Sequence, residues 1–131
     1  MTRRRANDPP SRGHQRARAR GLRAETLCAW WLRLHGYRIL GRNLRTPVGE
    51  VDILARRGRT LAVIEVKRRE SLDRAAFSLE PGQRRRLMRA AGYVLATVPR
   101  AQGLTVRFDA MLVAPWRFPI HIADAWRPDA T

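Results

Sequence analysis

The chain has 131 residues, 44% of them hydrophobic, and a net charge of +16 at neutral pH, which suits one globular domain with a modest core. No apolar run is long enough to span a bilayer, no apolar stretch of the secretion-signal kind follows the N-terminal arginines, and the expected address is the cytoplasm. One cysteine, Cys28, excludes an internal disulfide and a cysteine-based zinc site, while the basic excess points to a polyanionic partner, usually nucleic acid.

Residues 1–17, with Arg3-Arg4-Arg5, Pro9-Pro10 and Gly13, have no apolar periodicity and read as a disordered basic tail ahead of a folded domain over 18–131. From about Arg18 to His35, Ala24, Leu27, Cys28, Trp31 and Leu34 recur at three- and four-residue spacings and predict an amphipathic helix, with Gly36 as its stop. Tyr37 to Leu40 reads as a short strand and Arg42 to Pro47 as a polar connection. Val48 to Ala55 and Leu61 to Lys67 are the clearest strands, rich in β-branched and aliphatic residues, and Arg57-Gly58 between them predicts a hairpin turn. After a loop over 68–80, Pro81 suits a first helical turn, and Leu87, Ala90, Ala91, Val94 and Leu95 carry a second helix to about Thr97. Leu104 to Val113 and Ile120 to Trp126 complete the strands. The order predicts an α/β fold, a small mixed sheet flanked by helices.

The hairpin carries the candidate chemistry. Alternation puts Glu50, Asp52 and Leu54 on one face of its first strand and Leu61, Val63, Glu65 and Lys67 on the same face of the second. A two-residue Arg57-Gly58 turn sets Glu50 opposite Glu65; a loop two residues longer sets Asp52 opposite Glu65. Both registers bring Asp52, Glu65 and Lys67 within side-chain reach. Three carboxylates crowded on neighbouring strands repel one another, and in a chain with 11 acids against 27 bases such crowding calls for a hard cation, Mg²⁺ or Mn²⁺. An ion held by Asp52, Glu65 and the Val66 carbonyl would activate water and take up charge on a phosphate, with Lys67 steadying that water or the transition state. The competing reading is a surface hairpin with ordinary ion pairs. Lysine usage sharpens the choice: of 27 basic residues 26 are arginine, and the single lysine is Lys67. An ammonium is a compact charge with a tunable pKa, which the planar guanidinium cannot imitate.

Taken in order, Gly21-x-x-Ala24-Glu25, Gly36-Tyr37, Arg42-Asn43, Gly49-Glu50-Val51-Asp52, Glu65-Val66-Lys67 with Arg69, and Arg107-Phe108-Asp109 resemble the YraN family, small bacterial endonuclease-like proteins of the PD-(D/E)XK superfamily. The resemblance covers roughly residues 18–126. It implies a restriction-endonuclease-like αβββαβ core similar to that of Holliday junction resolvases, and a metal-dependent endonuclease acting on DNA, including branched DNA. Asp52 and Glu65 are then metal ligands, Lys67 the catalytic lysine, and Glu25 a third ligand from the first helix. Glu50 and Gln83 are candidates for an outer shell, Gln83 standing where a lysine is expected of the family. Arg45, Arg69, Arg84 and Arg85 are the expected phosphate contacts. The alternative is a non-catalytic nucleic-acid-binding module on the same fold, with DNA favoured over RNA as partner in either case and no role for a membrane.

The remaining candidates read as structural. Trp30, Trp31, Trp116 and Trp126 suit core or interface packing, His14, His35 and His121 lack metal-ligand spacing, and Arg107 with Asp109 suits an ion pair near the sheet end. One acid cluster cuts one strand, so symmetric double cleavage needs a homodimer, for which Trp116, Phe118 and Ile120 are candidate interface residues.

Overall fold

A computed structural model describes residues 12–69 and 77–128, with side chains described from residue 23 onward. Helix α1 (Arg12–Leu34) leads into strands β1 (Arg38–Thr46), β2 (Gly49–Arg57) and β3 (Thr60–Arg68); helix α2 (Pro81–Thr97) and a short 3-10 turn then precede β4 (Thr105–Val113) and β5 (Ile120–Trp126). The five strands form one sheet in chain order. All neighbours are antiparallel except β3 and β4, which run parallel because α2 carries the chain across between them. The result is the α/β fold with a mixed sheet and two helices that the sequence pattern predicts, compatible with a restriction-endonuclease-like core.

Each helix covers one face of the sheet. Ala24, Cys28 and Leu32 of α1 pack with Ile53, Ala55, Ala62, Ile64 and Met111. Leu87, Ala90, Ala91 and Val94 of α2 pack with Val51, Leu54, Leu61, Val63 and Phe108. β3, paired on both edges, is fully buried from Leu61 to Ile64. That burial explains why its sequence is a near-continuous apolar run rather than an alternating one.

The helix stop is as expected and has a clear cause. Gly36 adopts φ +85°, its N–H donates to the Arg33 carbonyl, and the Tyr37 N–H donates to the Leu32 carbonyl at 2.9 Å. This is the Schellman arrangement, closed by Tyr37 and Leu32 meeting in the same core cluster. At its other end α1 begins at Arg12, not near Arg18, so residues 12–17 belong to the helix rather than to the basic tail; residues 1–11 lie outside the described part. Arginine, alanine and glutamine favour helix without contributing an apolar stripe, so a search for periodicity stops short there.

Two further expectations are corrected. Arg42 to Thr46 is strand, not connection: β1 is an edge strand whose two-residue rhythm is interrupted by a bulge between Ile39 and Gly41 and by Asn43 at φ +50°. The hairpin turn is Gly58-Arg59, one residue later than Arg57-Gly58, with Arg57 paired to Thr60. Gly58 takes φ +61° at the first loop position, the backbone state that matches the twist of a two-residue hairpin.

Candidate functional site

The turn position decides the register. Pairing runs from Arg57↔Thr60 to Ile53↔Ile64, so the next residues outward are Asp52 and Glu65, the second of the two registers the sequence allows. Strict alternation also breaks here. Val51 joins the α2-side core with Leu54, whereas Ile53 joins the α1-side core. Asp52 sits at this irregularity, and its Oδ2 accepts the backbone N–H of Val66 at 2.8 Å. The carboxylate thereby reaches across to β3 and is fixed against it.

Four side chains converge at that point. The Asp52 and Glu65 carboxyl groups hydrogen-bond each other. Lys67 Nζ lies 3.1 Å from Glu65 Oε1, and Gln83 Nε2 in the first turn of α2 donates to the same oxygen at 3.3 Å. Desolvation pushes Glu65 up to about 7, the Asp52 charge adds to this, and Lys67 offsets part of it. Desolvation likewise raises Asp52, against the opposing Val66 N–H bond. Two acids that hydrogen-bond through a shared proton are the expected outcome when like charges meet in a half-dry site.

Glu25 is brought near but not into this pair. It is buried on α1 at 8% exposure, where burial first and the Asp52 charge second raise its pKa while an Asn43 hydrogen bond lowers it. Its Oε2 is buried with no hydrogen-bond partner. Among the described residues no three His, Cys, Asp or Glu side chains form a group able to hold a metal ion. Among the described residues the expected trio of Glu25, Asp52 and Glu65 is therefore not assembled as a cage: Asp52 and Glu65 meet, and Glu25 hydrogen-bonds Asn43 of β1. The pair itself suits a hard divalent ion, since a cation relieves the burial penalty and the repulsion that raise both carboxyl groups.

Other candidates separate by position. Glu50 is exposed and paired with Arg45 at 3.3 Å, so it acts on Asp52 only through its charge. Arg84 donates through Nε to the Leu79 carbonyl; Arg69 and Arg85 are exposed. Cys28 is no nucleophile: burial, then the charges of Glu25 and Asp52, push its thiol up to about 12. Sequence reasoning missed Asn43 as the group that holds Glu25, although Arg42-Asn43 stood out as a motif. It also missed the extent of the polar cluster at Asp109. Asp109 is 1% exposed and accepts from both Arg107 nitrogens at 2.8 and 2.7 Å, contacts His121 Nε2 at 2.7 Å, and accepts the Asp124 N–H at 2.9 Å. Arg107 also donates to the Tyr37 hydroxyl. This ion pair holds the α1-side end of β4 to β5 and lies apart from Asp52 and Glu65.

Comparison with known proteins follows the same outline. The family model described as "Uncharacterised protein family UPF0102" matches residues 24–113, a window that contains Glu25, Asn43, Asp52, Glu65, Lys67, Gln83 and Asp109. A UPF0102 protein of Paramagnetospirillum magneticum is 54% identical over 125 residues, covering 92% of this chain and 97% of the relative. One from Parvibaculum lavamentivorans is 56% identical over 108 residues, covering 82% and 81%. One from Caulobacter vibrioides is 49% identical over 110 residues, covering 84% and 88%. Among the described residues no helix is long and apolar enough to cross a membrane.

Proposed function

The chain belongs to the UPF0102 family, and from that premise we propose that it is a metal-dependent endonuclease that hydrolyses phosphodiester bonds in DNA. The observation that carries this reading is the Asp52–Glu65 carboxyl pair with the chain's sole lysine 3.1 Å from Glu65. Asp52 and Glu65 would hold Mg²⁺ or Mn²⁺, which when bound supplies Lewis-acid activation of water and neutralises phosphate charge. The Val66 N–H and the Gln83 amide orient the two carboxylates. Lys67, 20% exposed, would orient the attacking water and stabilise the charge that builds on the phosphate oxygens in the pentavalent transition state. The net charge of +16 draws the polyanion in, and exposed Arg69 and Arg85 are placed for phosphate contact.

Purified protein incubated with labelled linear, flapped and four-way DNA, with and without Mg²⁺ or Mn²⁺, tests the proposal. Cleavage that needs the metal and is abolished by Lys67→Ala and Asp52→Asn, with binding retained, is the expected result; a fully active double variant removes the assigned site. That no three-carboxylate cage forms among the described residues favours a second reading, a nucleic-acid-binding module without turnover, which shares the salt-dependent binding and yields no metal-dependent product.

A further inference from the structure

Beyond the acid pair, the sheet ends in an open groove of about 1080 Å³ between α1 and the β4–β5 connection. Its floor is apolar, with Leu27 and Val113 among its lining residues, and four cations line it: Arg23, Arg68, Arg69 and Arg117. Two aromatic rings stand at its mouth. Trp116 is fully exposed at 103% and Phe118 is 75% exposed, so of the two expected roles for Trp116, core or interface packing, the core is excluded. Trp116 also adopts φ +60°, a backbone state that bulky L residues rarely occupy and that tends to persist where it serves a site. Phe118 leans on Trp31, with ring centroids 5.6 Å apart, which steadies one of the two rings.

Apolar floor, exposed flat rings and surrounding guanidinium groups suit one kind of ligand, an unpaired nucleic-acid strand. Bases stack on aromatic faces without regard to sequence, while arginines follow the phosphates between them. Among the described residues no acid lines the groove, and its charge favours a polyanion. The groove's position supplies the rest. Arg68 and Arg69 directly follow Lys67, Arg68 pairs with Val113 across β3 and β4, and Ala24 in the groove wall precedes Glu25. The groove thus opens beside the end of β3 that carries Lys67.

We propose that the groove under Trp116 and Phe118 binds unpaired nucleotides flanking the scissile phosphate, so that the chain selects DNA with a single-stranded or splayed segment. The inference rests on the nuclease reading for the direction of the strand. Its test is therefore made without metal. Anisotropy of a labelled oligothymidylate of about 12 nucleotides, and of a blunt duplex of the same length, is followed in EDTA at one fixed salt concentration. Trp116→Gly removes the ring and also relieves the positive φ, so the fold is kept, and thermal melting checks this. Single-strand affinity is expected to fall roughly 5- to 100-fold, with duplex affinity changed less than about twofold and Trp116→Phe retaining most of the binding. Equal loss on both substrates, or loss on neither, overturns the proposal. So does sedimentation showing a dimer that Trp116→Gly dissociates without affecting the oligonucleotide, since the groove would then belong to a second copy. Cleavage by the wild-type chain is scored separately: its absence on every DNA overturns the nuclease reading, whereas the oligonucleotide result in EDTA alone decides this one.

Discussion

Replacing Glu65 with glutamine should make the metal-free protein more stable at alkaline pH while destroying cleavage. The free side chain loses its proton near 4.5, whereas in the fold burial and the Asp52 charge push this up to about 7. A carboxyl with a raised folded-state pKa keeps, between those limits, a proton that the unfolded chain has already lost. Stability therefore falls as pH rises through that window, and the whole penalty is present above it. With the side chain only 13% exposed, the cost of holding Glu65 ionised is about 2 to 3 kcal/mol. Glutamine is nearly the same shape, keeps a polar contact to Gln83 and carries no such penalty. Thermal unfolding in EDTA should show the two chains nearly equal near pH 5 and the variant melting about 6–12 °C higher near pH 8.5. Saturating Mg²⁺ should then raise the wild type alone. A gap that is the same at both pH values, or a variant that is less stable at pH 8.5, would refute the account of Glu65 as a desolvated, charge-opposed acid.

Lys67→Arg should lower single-turnover cleavage by about 10²–10³-fold or more while leaving DNA affinity in EDTA within about twofold, because the charge survives and the compact ammonium does not. Calorimetric Mg²⁺ affinity should climb by up to about tenfold per pH unit below about 7 and flatten above it, since the ion displaces a proton from the Asp52–Glu65 pair. Asp109→Asn should cost on the order of 3 kcal/mol in urea unfolding by leaving Arg107 without its buried partner. Burial raises Asp109, but hydrogen bonds from His121, Arg107 and the Asp124 N–H outweigh it and hold its pKa below the ordinary 3.8. The wild-type contribution is thus present above that ordinary value and lost as pH falls through the depressed one, a loss the asparagine variant should not show.

Much of the fold was legible because apolar spacing and punctuation agreed. Gly36 stops α1, Pro81 starts α2, and β5 spans Ile120–Trp126 as the pattern predicts. Long-range geometry was not legible. An irregular edge strand hides β1, since the bulge after Ile39 and the left-handed Asn43 spoil its rhythm. The hairpin register hung on one residue, and spacing alone could not place the turn at Gly58-Arg59. The candidate site was readable to the extent that its members share a local hairpin: Asp52, Glu65 and Lys67 meet. Glu25 depends on how α1 crosses the sheet, and it hydrogen-bonds Asn43, a contact between residues 18 positions apart that no periodicity reports. For Trp116 the sequence left core and interface packing open, and only the loop conformation shows the side chain turned outward.

Asp52 does not merely face Val66; it receives that residue's amide hydrogen. In the middle of a sheet most amide protons are shared with neighbouring carbonyls and exchange with solvent only when the strands come apart. The Val66 hydrogen instead ends on a carboxyl group whose pKa burial raises. Its resonance is thus wired to the titration of Asp52, and the backbone of this strand carries its own record of that carboxyl group's charge.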